Sequence, residues 1–442
     1  MKLFLSIIIS FFLFNCSFDK KTGIWKDENN DINNVKNDTL KEFKKISASS
    51  DIYNKKIFLK QNSIFKISKP VSNIDWNDIF YQNNNNLTNF EYSNLNQIIF
   101  KSKKLTKNLI SKYKLYRDGK IIISDLEGNI VVFSINENKV VAKFNFYKKR
   151  FKRIEKKINL IVEKDIIFLA DNLGYVYSYN YINQKIVWAK NYKVPFSSNL
   201  KIFKNNLIVS DQNNHLYIIN KKNGDLIKLI PTEETLIKNQ FINSLSVDDR
   251  GNLFFLNSFG SLYSIDINTL NINWFYNFNK SFDLSPSNLF IGNQIINNDK
   301  YVIVSSKNNT FIIEVNTGSI VKKFNFSSLI RPIIINNVLF FITNNNFLIA
   351  INLETKNILY SLDITEIKNL KIKNFTNDIV KNIMILDSSI FVFLKNSKIL
   401  SFDIYGKFKK IIKLQTNMQT YPISIDGSIL YLNDKNKLIV LN

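Results

Sequence analysis

Few residues in this chain could carry out covalent or acid–base chemistry. One histidine, His215, and one cysteine, Cys16, stand among 442 residues. A serine–histidine–aspartate relay would have to run through His215, and no G-x-S-x-G turn presents a serine for it. His215 opens the run His215-Leu-Tyr-Ile-Ile219. Its apolar character is that of a strand, so a packed or rim position is expected. A single cysteine allows no internal disulfide, no C-x-x-C pair and no cysteine-rich metal site. The remaining reactive group is one thiol close to the N-terminus.

The setting of that thiol gives it a chemistry. Residues 1–15 begin with Met1-Lys2 and continue as an apolar run that ends at Cys16. The run is too short for a comfortable membrane-spanning helix and has the layout of a signal peptide. Leu13-Phe-Asn-Cys16 resembles the bacterial lipobox, in which the cysteine receives acyl chains such as palmitate and becomes the mature N-terminus. Leu13 fits that pattern, whereas Phe14 and Asn15 replace the usual small residues. Ser17, rather than an aspartate, follows the cysteine. This favours an outer-membrane anchor facing the periplasm. Residues 16–50 are polar and rich in Asn and Lys, the composition of a tether. Within them 37–46 read as a short helix with Asp38 or Thr39 at its cap.

Charge narrows the partners less than its size suggests. The chain carries 60 Lys+Arg against 36 Asp+Glu, a formal net charge of +24. An anionic partner is one reading: nucleic acid, lipid A or phospholipid head groups. The abundance of Lys, Asn, Ile and Phe also matches AT-rich codon usage. The basic residues are scattered, with small clusters such as Lys148-Lys-Arg-Phe-Lys-Arg153. Codon bias is the preferred reading, with weak anion attraction as a consequence. The leader directs the chain away from DNA and no nucleic-acid module is present.

A repeated phrase dominates residues 51–442. A Gly, Asn or Ser opens it, an alternating strand follows, then a polar turn and a second strand. The phrases begin near Gly128, Gly174, Asn214, Gly260, Asn309, Asn345, Ser397 and Asn436. A period of about 40–50 residues is that of a β-propeller, one copy per blade. The expected fold is all-β: an eight-bladed β-propeller of four-stranded antiparallel blades. With 11 Gly and 6 Pro in the chain, the turns must rely on Asn and Asp. Seven phrases lead into a fourth strand. The eighth, Lys437-Leu-Ile-Val-Leu441, reaches Asn442 without one. An N-terminal strand is therefore expected to close the ring and cover the edge. Lys55–Lys60 or Ser63–Ile67 are the candidates. Tyr175, Tyr177 and Tyr179 alternate along one strand, a spacing that suits packing between blades better than sugar binding.

The strand-turn pattern also carries a family resemblance. Asn223-Gly-Asp225 and Asn316-Thr-Gly318 keep the turn of quinoprotein-like repeats. Trp188 and Trp274 keep the tryptophan that packs between blades. With the lipobox and tether, the chain resembles the BamB family, outer-membrane lipoproteins of the β-barrel assembly machinery. Ser17-Phe-Asp-Lys-Lys-Thr-Gly-Ile-Trp25 is similar to alphaproteobacterial members. Ile74-Asp-Trp-Asn77 and Thr420–Gly427 extend the likeness to both ends. The resemblance implies a non-catalytic scaffold without cofactor or metal. It implies docking on the POTRA domains of a BamA-like subunit, with unfolded outer-membrane proteins as a further partner. The implied contact is an apolar-basic loop, matched here by Leu236, Ile237 and Lys238. One alternative is a propeller that binds sugar, peptidoglycan or lipopolysaccharide. Another is a pyrroloquinoline-quinone dehydrogenase, which would hold quinone and Ca²⁺ in the channel and commonly stacks a vicinal disulfide on the quinone. That cysteine pair is absent here.

Overall fold

The computed structural model describes residues 16–18, 25–27, 53–60, 65–234, 242–278, 290, 292–306, 308–328, 330–367 and 379–442. Met1–Asp51 and Ile52–Asn442 form separate compact units. In the first, Cys16–Phe18 pairs antiparallel with Trp25–Asp27, Cys16 lying opposite Asp27.

The second unit is a propeller of eight blades, each built on four antiparallel strands, with Asn89–Phe90 adding a fifth, parallel strand to the seventh. Blade one comprises Leu115–Arg117, Lys120–Ser124, Asn129–Ser134 and Lys139–Asn145. Blade two comprises Ile158–Glu163, Ile166–Asp171, Tyr175–Asn180 and Lys185–Asn191. Blades three to seven follow, starting from Lys201–Phe203, Ser244–Val247, Ile296–Asn297, Ile333–Ile335 and Val380–Leu386. Blade eight takes Ile423–Ile425, Ser428–Leu432 and Lys437–Leu441 from the C-terminus.

Its fourth strand comes from the N-terminal side, as expected, but from neither expected segment. Ile98–Lys104 pairs antiparallel with Lys437–Leu441, with Phe100 opposite Val440. Of the two candidates, 55–60 instead lies along blade six, where Ile57 exchanges backbone hydrogen bonds with Ser361. Residues 61–64 lie outside the described residues, and 65–67 form no strand. The closing strand directly precedes blade one, so closure needs no long return of the chain.

The phrase that repeats has a conformational cause. Gly128, Gly174, Asn214, Gly260, Ser397 and Asn436 all sit at positive φ, as does Asn346 beside the expected Asn345. Gly and Asn tolerate that left-handed geometry best. An Asx side chain at the start of the turn organises the rest, accepting from the N–H groups two and four residues on. Asp171 Oδ1 accepts from the backbone N–H of Leu173 and Tyr175. Asp125, Asp211, Asn257 and Asn433 do the same in their own blades.

Burial follows position along the radius. The middle strands are covered on both faces by neighbouring blades, so Asn129–Ser134 and Ser389–Leu394 are buried throughout. Continuous apolar runs are the result. Outermost strands are exposed, with Trp188 the buried exception in Lys185–Asn191. The tyrosines of blade two are packing residues: Tyr177 and Tyr179 are buried. Tyr179 stacks on Phe144, in the outermost strand of blade one, at 4.4 Å, and Tyr177 stacks on Phe146, just beyond that strand, at 4.5 Å.

A bulge recurs between the third and fourth strands of blades one to seven. It re-aims the next residue outward along the ring. In blade two that residue is Trp188, whose ring lies on Gly224 of blade three. A Cβ on Gly224 would fall 2.4 Å from the ring, and the turn holds φ +75°. Trp188 Nε1 donates to the Lys221 carbonyl at 2.9 Å. Trp274 of blade four repeats the contact on Gly318 and the Val315 carbonyl. Tyr360 of blade six does so on Gly406 and the Ile404 carbonyl.

Candidate functional site: the central channel

The innermost strands leave a central space, and the chain fills it with its own residues 73–93. This segment visits every blade in turn. Trp76 exchanges backbone hydrogen bonds with Tyr116 of blade one, and the Asn77 carbonyl accepts from Val162 of blade two. Asn83 Nδ2 reaches the Ile202 carbonyl of blade three, and the Asn83 carbonyl accepts from Val247 of blade four. Asn85 Nδ2 bridges the carbonyls of Leu245 and Ile295, in blade four and beside blade five. Asn86 exchanges two hydrogen bonds with Ile334 of blade six. Asn89 accepts from Ser388 N–H, and Asn73 Nδ2 donates to the Ser424 carbonyl. Asparagine suits this path, because one side chain can satisfy both an N–H and a C=O of an inner strand edge.

One ion pair anchors the segment. Lys201 is fully buried, and its ammonium meets Asp78 Oδ2 at 2.6 Å, Asn85 Oδ1 at 2.6 Å and the Gln82 carbonyl at 2.9 Å. Three acceptors match three N–H donors. Burial pushes the Lys201 ammonium below its ordinary range, and the Asp78 carboxylate opposes that shift. Asp78 Oδ1 accepts from Phe80 N–H, so the carboxylate is also committed.

Above Trp76, Ile79 and Phe80 lies a cavity of about 500 Å³. It is walled by residues of blades one, seven and eight and by the approaches to blades five and six. Among the described residues its charged lining is basic: Lys112, Lys114, Arg331, Lys381 and Lys395. Lys114 is buried and donates to Thr420 Oγ1 and the Tyr421 carbonyl. Lys381 donates to the carbonyls of Met418 and Gln419. Arg331 Nη1 donates to the Phe80 carbonyl at 2.6 Å, its guanidinium over the Phe80 ring. Burial, then the Lys381 charge, hold Lys114 well below the usual ammonium range. Burial, then Lys112 and Lys395, lower Lys381 to about 8. Sequence reasoning missed this cluster, because its members come from distant turns of different blades.

The residues singled out in sequence fall elsewhere. Cys16 opens the short strand of the N-terminal unit. Leu236, Ile237 and Lys238 lie outside the described residues, between Leu226–Ile230 of blade three and Ser244–Val247 of blade four. The chain leading to them is firmly held. Glu233 accepts from Ser261, Tyr263 and Asn257. His215 lies on the rim: Nδ1 faces Asp211 at 3.0 Å and Nε2 faces Glu234 at 2.9 Å.

Ca²⁺ does not fit this channel. Among the described residues no group of three or more His, Cys, Asp or Glu converges as a cation site. The channel carboxylate Asp78 is already held by Lys201, and the open cavity is lined with cations that would repel Ca²⁺.

Ring, turn chemistry and aromatic contacts define a propeller of PQQ-like repeats. Residues 118–324, blades one to five, match the family described as Outer membrane protein assembly factor BamB, and the resemblance read from the sequence stands on that stretch. The fold is shared with BamB from Moraxella catarrhalis at 11% identity and a TM-score of 0.60, over 78% of this chain and 99% of that one. It is shared equally with quinohemoprotein alcohol dehydrogenase from Comamonas testosteroni, at 8% identity and a TM-score of 0.62, over 84% and 81%. A computationally designed protein, Ika8, has it too, at 11% identity and a TM-score of 0.59, over 78% and 99%. No curated protein matches in sequence. Among the described residues no helix is long and apolar enough to cross a membrane.

Proposed function

We propose that this chain is a non-catalytic scaffold of the outer-membrane β-barrel assembly machinery. Lipid on Cys16 anchors it to the outer membrane, facing the periplasm. The connection holding Leu236, Ile237 and Lys238 docks on the POTRA domains of a BamA-like subunit. The observation that carries this reading is the BamB-family match across residues 118–324. A channel filled by residues 73–93 supports it over quinone-dependent dehydrogenation.

Anchoring makes a weak contact effective. Each buried acyl CH₂ contributes about 0.8 kcal/mol of membrane affinity. Confinement to the bilayer surface raises the effective concentration against a membrane-bound partner. The ring then presents its loops at fixed positions. Lys238 offers a point charge rather than a bidentate fork, so Leu236 and Ile237 supply most of the contact.

The test is affinity purification of the full-length chain from solubilised outer membranes. A BamA-like barrel subunit is the expected companion, lost when Leu236 and Ile237 are both changed to Ser. Recovery without such a subunit, or quinone-dependent dye reduction by the purified chain, overturns the proposal.

A further inference from the structure

We propose that the basic cavity at the channel mouth is a binding site for a small organic polyanion bearing phosphate or carboxylate groups. The inference is independent of the scaffold reading.

Three cations project into one recess from three blades. Arg331 enters from blade six, Lys381 from blade seven and Lys114 from blade one. Among the described residues each is held by neutral acceptors: carbonyl oxygens and one hydroxyl. Among the described residues no carboxylate lines the recess. This differs from Lys201, which the fold pairs directly with Asp78; Arg331 feels that carboxylate only at longer range. Buried charge without a counter-charge is costly. Here the like charges also act on one another, since Lys381 depresses Lys114. A bound anion relieves both penalties together.

The recess has the form of a ligand site as well as its charge. A volume of about 500 Å³ falls within the range of small-molecule pockets and well above that of a simple ion. Arg331 spends one of five N–H groups on Phe80 among the described residues, leaving a planar fork for an oxyanion. Tyr113 and Tyr421 pack at 5.2 Å on one wall, and Phe80 meets Tyr113 edge-on at 5.3 Å. Aromatic surface beside a cationic fork suits an anion with a flat or apolar body. Lys112 and Lys395 stand at the exposed rim, where they steer anions inward.

The experiment is isothermal titration of the full chain with pyrophosphate and with citrate, which separates phosphate from carboxylate preference. One site per chain is expected for at least one of them. Arg331→Gln and Lys381→Gln should each weaken binding by about tenfold. Lys149→Gln, which removes the same charge from an exposed turn, should leave it unchanged. The unsubstituted protein supplies a second reading should a variant not fold. Affinity should fall from about pH 7 to about pH 9, as Lys381 loses its proton near 8. Binding of neither anion, equal weakening by Lys149→Gln, several weak sites per chain, or a pH-independent affinity overturns the proposal. So does binding to phosphatidylglycerol vesicles that neither soluble anion displaces, which reports surface charge alone.

Discussion

The two ends of the blade radius are held together by opposite means. At the outer rim the contacts repeat: an aromatic ring of one blade lies on a turn glycine of the next, at Trp188–Gly224, Trp274–Gly318 and Tyr360–Gly406. Each joins two blades. At the inner wall nothing repeats. One segment, 73–93, reaches all eight blades through asparagine side chains, backbone groups and one buried ion pair. The rim is a set of pairwise staples, whereas the hub couples the whole ring. Damage at the hub should therefore be felt everywhere, and damage at the rim locally.

The largest effect should come from the hub. Asp78→Ala leaves the Lys201 ammonium buried without its counter-charge. A loss of about 3–5 kcal/mol is expected, measured by denaturant unfolding. Amide exchange should accelerate in blades on both sides of the ring. Acceleration confined to blades two and three would break the comparison, because the hub would then be as local as a staple.

Trp188→Ala tests the rim. Removing the ring should cost about 3 kcal/mol, with faster amide exchange restricted to blades two and three. Gly224→Ala alone drives a Cβ into the ring and strains a positive-φ turn. In the double variant the clash disappears, so the two losses should fall short of additivity by about 1–3 kcal/mol. Strict additivity would mean that ring and glycine are not coupled.

These two regions also differ in how far the sequence disclosed them. Trp188, Trp274 and their turns were legible because tryptophan and glycine are scarce here and recur at one period. Tyr360 was not, since the same contact is made by a different ring. The hub was illegible for the opposite reason. Asn83-Asn-Asn-Asn86 looks like compositional bias in an Asn-rich chain, and its partners lie up to 248 residues away. Closure of the ring was expected, but not through Ile98–Lys104, because alternation alone does not say which of several apolar runs matches the register of Lys437–Leu441. The basic cavity had no signal in sequence at all: scattered lysines become a cluster only when the ring brings blade one beside blade eight.

Asn86→Ala measures how the hub divides its work. Asn86 both donates to and accepts from Ile334, so its loss leaves one N–H and one C=O of blade six without partners. The site is half-buried, and water can replace part of what is removed. About 1–2 kcal/mol is expected by denaturant unfolding, well below the Asp78 effect. An equal loss would mean that the asparagines, rather than the ion pair, carry the hub.

The smallest effect belongs to the rim beside the connection at 235–241. His215 stands between Asp211 and Glu234, partly open to solvent. Burial alone would lower its pKa; the hydrogen bonds and charges of Glu234 and Asp211 outweigh it and raise the value above 6.5. A pKa higher in the folded state means that protonation stabilises the fold. That contribution is complete below about pH 6.5 and is lost as pH rises through the raised value. Exposure keeps it below about 1 kcal/mol. The melting temperature should therefore fall slightly from about pH 6 to about pH 8, and His215→Gln should remove that slope while leaving stability at the higher pH nearly unchanged. A slope retained in His215→Gln would assign the titration to other groups. The Glu234 contact would then be a neutral tie at the foot of the connection rather than a charge-dependent one.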